Sequence, residues 1–364
     1  MNPTTSELHN LGQSLWLDNI TREILADGTL ARYISDLSVT GLTSNPTIFE
    51  HAIGHGRLYD DAIGALASRG ESGENIFFTL ALQDLTQAAD LFRPVFEASG
   101  GVDGWVSLEV SPLLADDTTK TIQAATGLHA LADRPNLFIK IPGTGAGIKA
   151  IEESIFAGVP VNVTLLFSRE HYLAAVEAYM RGIERRIAAS LDPKIESVAS
   201  LFISRWDVAI REEILPDYHN RLGIAIAMRT YKAYRDQLAS PRWQKLAQAG
   251  AHPQRLLWAS TGTKDPVAPD TLYVEALAAA GTIITMPEKT LLAFADHGKT
   301  GDVLPVDGGY AEEVLEEFRR EGVDIDALAE RLQREGATSF SNSWNTLLAR
   351  IAEKSPQPAA KTSA

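Results

Sequence analysis

A chain of 364 residues with 45% hydrophobic and 22% charged residues is a globular composition, long enough for two average domains or for one large α/β barrel with insertions. A formal charge of −14 argues against non-specific nucleic-acid binding and requires any anionic substrate to find a local basic pocket. With no cysteine there is no thiolate nucleophile, disulfide or Cys-ligated zinc, which fits a reducing, cytoplasmic setting.

No apolar run approaches the roughly 18 residues of a membrane span, and Met1–Glu7 has neither the basic nor the apolar region of a secretory signal. Strand-like and helix-like segments then alternate along the chain. Ser14–Asp18 reads as the first strand, followed by a helical pattern through Leu37; Val39–Asn45 is the second. A long helical insertion follows from Pro46 to about Ser99, broken near Gly70 and Gly73. Trp105–Val110 is the third strand, with a helix over Thr118–Ala132. Asn136–Thr144 is the fourth, ending at Pro142-Gly143 and leading into a helix that runs to about Phe156.

Val161–Phe167 is the fifth strand, with an amphipathic helix through Ala189. Val198–Ile203 is the sixth, with helical sequence from Trp206 to about Gly250. Arg255–Ser260 and Thr282–Met286 are the seventh and eighth, with helices over Pro269–Ala280 and Pro287–Ala295. Ala311–Lys354 reads as two further helices able to pack across the sheet. Eight β-then-α units predict a (β/α)8 TIM barrel with extra helices over residues 1–354. An open doubly wound sheet is the other arrangement that this alternation allows, but no Gly-x-Gly-x-x-Gly follows the first strand. The low-complexity stretch 355–364 reads as a disordered or linker-like tail.

Lys140 is out of place. Parallel strands are covered on both faces and should be nearly unbroken hydrophobe. Burial disfavours an ammonium, and a free lysine amine attacks carbonyls to form a Schiff base. Polar residues recur in other strands: Asp18 ends the first, Thr43 and Asn45 share a face of the second, and Ser107 and Glu109 share a face of the third. Asn162 and Thr164 share a face of the fifth, and Ser200 lies in the sixth. Any one of these is ordinarily a satisfied core group. Recurrence over six consecutive strands is the pattern of an active site at the carboxyl ends of barrel strands.

The roles follow from the chemistry of an imine. Lys140 is the nucleophile, and Glu109 moves protons on and off the carbinolamine oxygen, with Thr164 orienting a water. Asp18 is the base for a substrate hydroxyl when the bond beyond the imine breaks; the alternative for it is to cap the first helix. Asn45 and Asn162 hold sugar hydroxyls, since a carboxamide both donates and accepts. Arg205 and Lys264, just past the sixth and seventh strands, are the phosphate candidates, with Arg205 favoured by its position beside a buried strand.

These residues carry a family resemblance. Gly41–Phe49 resembles the Asn-containing signature of transaldolases, and Leu137–Ile148 resembles their Schiff-base lysine signature. Asn162–Ser168 and Met286–Phe294 agree with it, and the likeness extends over roughly residues 11–348, with helical insertions similar to the long bacterial branch.

The resemblance implies a circularly permuted class I aldolase barrel that uses neither metal nor cofactor. It implies transfer of a dihydroxyacetone unit from sedoheptulose 7-phosphate to glyceraldehyde 3-phosphate in the pentose phosphate pathway, giving erythrose 4-phosphate and fructose 6-phosphate. It assigns the imine to Lys140, acid/base work to Glu109, and the proton of carbon–carbon cleavage to Asp18. Thr43, Asn45, Asn162, Thr164, Ser200 and Phe202 then line the sugar site, with Arg205 on the phosphate. Other branches have an arginine where Ala259–Lys264 runs here, so Lys264 stands in as the second phosphate contact. Two other readings stand beside it: an aldolase that releases free dihydroxyacetone, which shares the lysine, and a barrel that binds without turnover, in which Lys140 does no chemistry. Segments 46–99 and 206–250 offer surface either to a second copy of the chain or only to their own barrel. Some members of the branch are fused to a glucose-6-phosphate isomerase, which makes fusion or association with that enzyme a further expectation.

Overall fold

The computed structural model describes residues 1–355; the expected tail, save Ser355, lies outside the described residues. Eight parallel strands close into a barrel in sequence order, with β1 (Ser14–Leu17) pairing to both β2 (Val39–Leu42) and β8 (Ile283–Met286). Between them lie β3 (Trp105–Glu109), β4 (Leu137–Pro142), β5 (Val161–Leu166), β6 (Ser197–Phe202) and β7 (Arg255–Ala259). Closure excludes the open doubly wound sheet. Every residue of these strands is buried, because helices cover the outside and side chains fill the inside.

The helices begin where short polar residues can cap them. α1 (Pro3–Asn10), which the periodicity does not announce, is capped by Asn2 on the Thr5 N–H. The segment after β1 splits into α2 (Arg22–Ala26) and α3 (Thr29–Asp36) at Gly28, whose φ of +76° is a left-handed turn. The insertion after β2 is α4 (Pro46–His55), α5 (Asp60–Ser68) and α6 (Gly73–Ala98). α7 (Thr118–Ala132) follows β3, and α8 (Gly145–Ala157) follows β4, capped by Thr144 on the Gly147 N–H. α9 (Arg169–Ala188) is capped by Ser168.

After β6 come α10 (Ser204–Ile210), α11 (Leu222–Ala239) and α12 (Pro241–Gln248). The helix expected over Pro269–Ala280 is only the short α13 (Leu272–Ala276). α14 (Glu288–His297), α15 (Ala311–Arg320) and the 30-residue α16 (Ile325–Lys354) complete the chain. No helix among the described residues is long and apolar enough to cross a membrane.

The barrel interior is layered. At the amino ends of the strands, Arg255 bonds Ser14 Oγ at 2.6 Å and Asp103 Oδ1 at 3.2 Å, while Ser14 donates to Asp103 Oδ2 at 2.8 Å. Above this polar plug, Trp105 stacks on Phe138 with ring centres 4.0 Å apart, and Trp16 lies 6.2 Å from Phe138. Gly41 makes that aromatic layer possible, because a Cβ there would stand 2.7 Å from the Trp16 indole and from the Trp105 carbonyl. Polar side chains occupy the layer above the rings, at the carboxyl ends.

Candidate active site

Register brings the site together. Glu109 pairs with Lys140 across β3 and β4, and Lys140 pairs with Asn162 across β4 and β5, so the three stand side by side. Lys140 is only 4% exposed. Its Nζ lies 3.1 Å from Glu109 Oε2 and donates to the Ser44 carbonyl at 3.1 Å. Oε1 of Glu109 has no partner among the described residues. Burial pushes the Glu109 carboxyl above its ordinary range, the Lys140 ammonium opposes this, and the nearby Asp18 charge adds to the rise.

Asp18 immediately follows β1 and faces the same space. It is not a helix cap: Thr21 takes that role by accepting the Ile24 N–H at 3.2 Å. Asp18 Oδ1 instead accepts the Thr43 hydroxyl at 2.7 Å, and Thr43 in turn bonds Thr285 at 2.8 Å. Burial raises the Asp18 carboxyl, against the lowering pull of Lys140, the Thr43 hydrogen bond and Lys264. Two carboxyls poised above their ordinary range beside one amine can exchange protons with it and with a bound hydroxyl.

A cavity of about 290 Å³ opens over this cluster, close to the lower end of the range for small-molecule sites. Asp18, Thr43, Asn45, Lys140, Thr164, Ser200, Phe202, Arg205 and Lys264 all line it. Thr164 Oγ1 is buried without a partner among the described residues, as a hydroxyl awaiting a ligand or water would be. Asn45, expected within the second strand, sits three residues beyond β2 and caps α4 through Oδ1 on the Ile48 N–H at 3.0 Å, so its amide N–H2 is what remains for a ligand.

Glu109 and Asn162 lie behind the cavity wall. Glu109 reaches the cavity through Lys140. Asn162 spans β3 to β6, donating to Ser107 at 3.1 Å and accepting from Ser200 at 2.7 Å, so the structure engages its carboxamide with protein rather than with the open space.

The basic candidates close one end. Arg205 is the second residue of α10, with its guanidinium 5.6 Å from the Phe202 ring. Partial burial lowers its pKa, and Glu335 is the charge that opposes this. No ion-pair partner within bonding distance of it is found among the described residues. Lys264, in the loop after β7, is exposed but reaches the same cavity. Three cations, Lys140, Arg205 and Lys264, thus face two carboxylates, Asp18 and Glu109, in a molecule of net charge −14. This is the local basic pocket that an anionic substrate requires. Among the described residues no group of three or more His, Asp or Glu side chains is arranged to hold a metal ion.

Sequence reasoning missed several wall residues. Thr285 shares a face with Ile283 by the period of two in β8, a signal that was legible. Ser260 follows β7 in a left-handed conformation (φ +55°) and bonds Ser204 at 2.9 Å. His51 of α4 and Phe340 of α16 come from helices whose patterns read as ordinary amphipathic faces.

A family model described as transaldolase/fructose-6-phosphate aldolase matches residues 15–351. The chain is 44% identical over 363 residues to a transaldolase of Frankia alni, covering 97% of this chain and 98% of that protein. It is likewise 44% identical to a transaldolase of Thermobifida fusca, covering 97% of this chain and 99% of the other. To a transaldolase 1 of Streptomyces coelicolor it is 46% identical over 356 residues, covering 94% and 93%.

Proposed function

The chain belongs to the transaldolase/fructose-6-phosphate aldolase family, and from that premise we propose that it is a transaldolase working through a Lys140 Schiff base. Its reaction is transfer of a dihydroxyacetone unit from sedoheptulose 7-phosphate to glyceraldehyde 3-phosphate, giving erythrose 4-phosphate and fructose 6-phosphate. The observation that carries this reading is the buried Lys140–Glu109 pair at 3.1 Å, whose lysine lines a cavity that Asp18 and Arg205 also line.

The Lys140 amine attacks the ketose carbonyl carbon, after giving up its proton towards Glu109. Burial makes Glu109 a stronger base than an ordinary carboxylate, and once protonated it returns the proton to the departing oxygen, which leaves as water. Asp18 then takes the proton from the hydroxyl on the far carbon of the bond that breaks, and that oxygen becomes the aldehyde of the departing aldose. The electron pair of that carbon–carbon bond flows into the iminium, leaving a three-carbon enamine on Lys140 and freeing the aldose. The acceptor aldehyde enters, the enamine carbon attacks it, Asp18 returns its proton to the new hydroxyl, and water hydrolyses the imine. Arg205, with Lys264 beside it, meets the phosphate; Thr43, Asn45 and Ser200 offer the donors and acceptors that match sugar hydroxyls.

The test is borohydride trapping. Fructose 6-phosphate followed by reduction should leave a dihydroxyacetone-sized mass on Lys140, located by peptide mapping; no adduct on folded protein would refute the Schiff base. The same reading carries a cytoplasmic location, one domain over residues 1–354 and a reaction without metal or cofactor. Self-association, and association with a glucose-6-phosphate isomerase, are read by sedimentation of the full chain alone and mixed with that enzyme.

A further inference from the structure

The last helix reaches the reacting lysine. α16 carries apolar residues every fourth position, Leu328, Leu332, Gly336, Phe340 and Trp344, a stripe that would serve any core-facing helix. Here the middle of that stripe crosses the carboxyl end of the barrel. Gln333 Nε2 donates to the Gly143 carbonyl at 3.1 Å and to the Leu165 carbonyl at 2.9 Å, tying α16 to the tops of β4 and β5. Leu165 holds a left-handed φ of +58°, a costly conformation for a branched side chain, and the β5–β6 register shifts there. Gly336 lies directly over it: a Cβ at 336 would stand 2.9 Å from Leu165 Cδ2. One turn further on, Phe340 is 4% exposed, lines the cavity, and centres its ring 5.6 Å from Lys140 Nζ. Beyond it, Ser343 bonds Thr47 at 2.8 Å and Trp344 packs edge-on against Phe77 at 4.9 Å, so this roof is fixed on both sides.

We propose that Phe340 is a specificity-determining residue that roofs the Lys140 adduct against water and so favours transfer of the three-carbon unit over its release. The inference rests on the Schiff-base reading above. After cleavage, the enamine on Lys140 has two fates. Its carbon attacks an acceptor aldehyde, whose oxygen takes a proton, or that carbon takes a proton itself. In the second case water then adds to the iminium carbon and expels the lysine amine, so free dihydroxyacetone leaves. A proton donor such as water must reach the adduct for release, and an apolar ring over the lysine denies it that side. The wall that carries Thr43, Asn45 and Ser200 remains polar for the sugar.

The test compares the full-length protein with Phe340→Ala and Phe340→Leu. Fructose 6-phosphate alone reads release of dihydroxyacetone, and fructose 6-phosphate with erythrose 4-phosphate reads transfer. The Ala variant should raise the release-to-transfer ratio at least about tenfold, with the Leu variant returning most of the way. Both rates are read on one preparation of each variant, so partial unfolding, which lowers both rates together, leaves their ratio unmoved. A ratio in the Ala variant equal to or below that of the parent, with the borohydride adduct still on Lys140, overturns the role of Phe340. Absence of the adduct in the parent protein overturns the Schiff-base reading instead.

Discussion

Asp18 and Thr43 illustrate how single side chains set the chemistry. The Thr43 hydroxyl stabilises the Asp18 carboxylate that burial otherwise disfavours. Thr43→Val removes that hydrogen bond, so the folded-state pKa of Asp18 rises further. The base form is then lost at a higher pH on acidification, and the acid limb of the kcat/KM profile for fructose 6-phosphate moves upward. A limb that stays in place or moves to lower pH would take the base role away from Asp18. Lys140 was legible in the sequence because a cation inside an apolar strand conflicts with burial, and Glu109 and Thr164 were legible by their period in neighbouring strands. Phe340 was not. A phenylalanine four residues after Gly336 and four before Trp344 satisfies an amphipathic pattern whether it faces core or cavity. Asn162 was legible as polar, but not that both ends of its amide would be taken by Ser107 and Ser200 from two other strands.

Whole elements act through where their ends are tied. α11 begins without a cap of its own; Asp207 of α10 supplies one, accepting the Leu222 and Gly223 N–H groups at 3.0 and 3.2 Å and the Tyr273 hydroxyl at 2.8 Å. Burial lifts that carboxyl to about 6, against the pull of its three donors. No local motif announces a cap delivered from another helix and shared with a third. α16 depends similarly on contacts distant in sequence, and Gly336 is the point of closest approach. Gly336→Val would overpack the helix against Leu165, costing roughly 1–3 kcal/mol. Urea unfolding should show that loss, and KM for fructose 6-phosphate should rise as Phe340 and the top of β5 move apart. An unchanged midpoint together with unchanged KM would mean that α16 tolerates displacement and does not set the roof.

At the scale of the molecule, the barrel separates duties between its ends. The carboxyl end gathers partly unsatisfied groups, including Thr164 Oγ1 and Glu109 Oε1, around open space. The amino end is built around a buried ion pair: Arg255 bonds Ser14, Asp103 and the carbonyls of Val102 and Thr282. Asp103→Ala leaves the buried guanidinium short of its counter-charge, and breaking such a pair costs about 3–5 kcal/mol. Chemical denaturation should register that loss, while kcat at a temperature where the variant remains folded should stay within about twofold of the parent. A large fall in kcat with little loss of stability would show the two ends to be coupled.

The sequence by itself determined the eight β/α units, the lysine out of place and the row of polar groups at strand ends. These follow from local periodicity and from the cost of burying charge, both carried by neighbours in the chain. Only the tertiary structure decided which of those groups meet. The β3–β4 register sets Glu109 beside Lys140, and β1 lying between β2 and β8 lets Thr43 bond both Asp18 and Thr285. The return of α16, some 200 residues after Lys140 (340 against 140), lays Phe340 over the amine. Contacts between elements so distant in sequence are fixed by packing around the closed core, and a linear pattern carries no record of them.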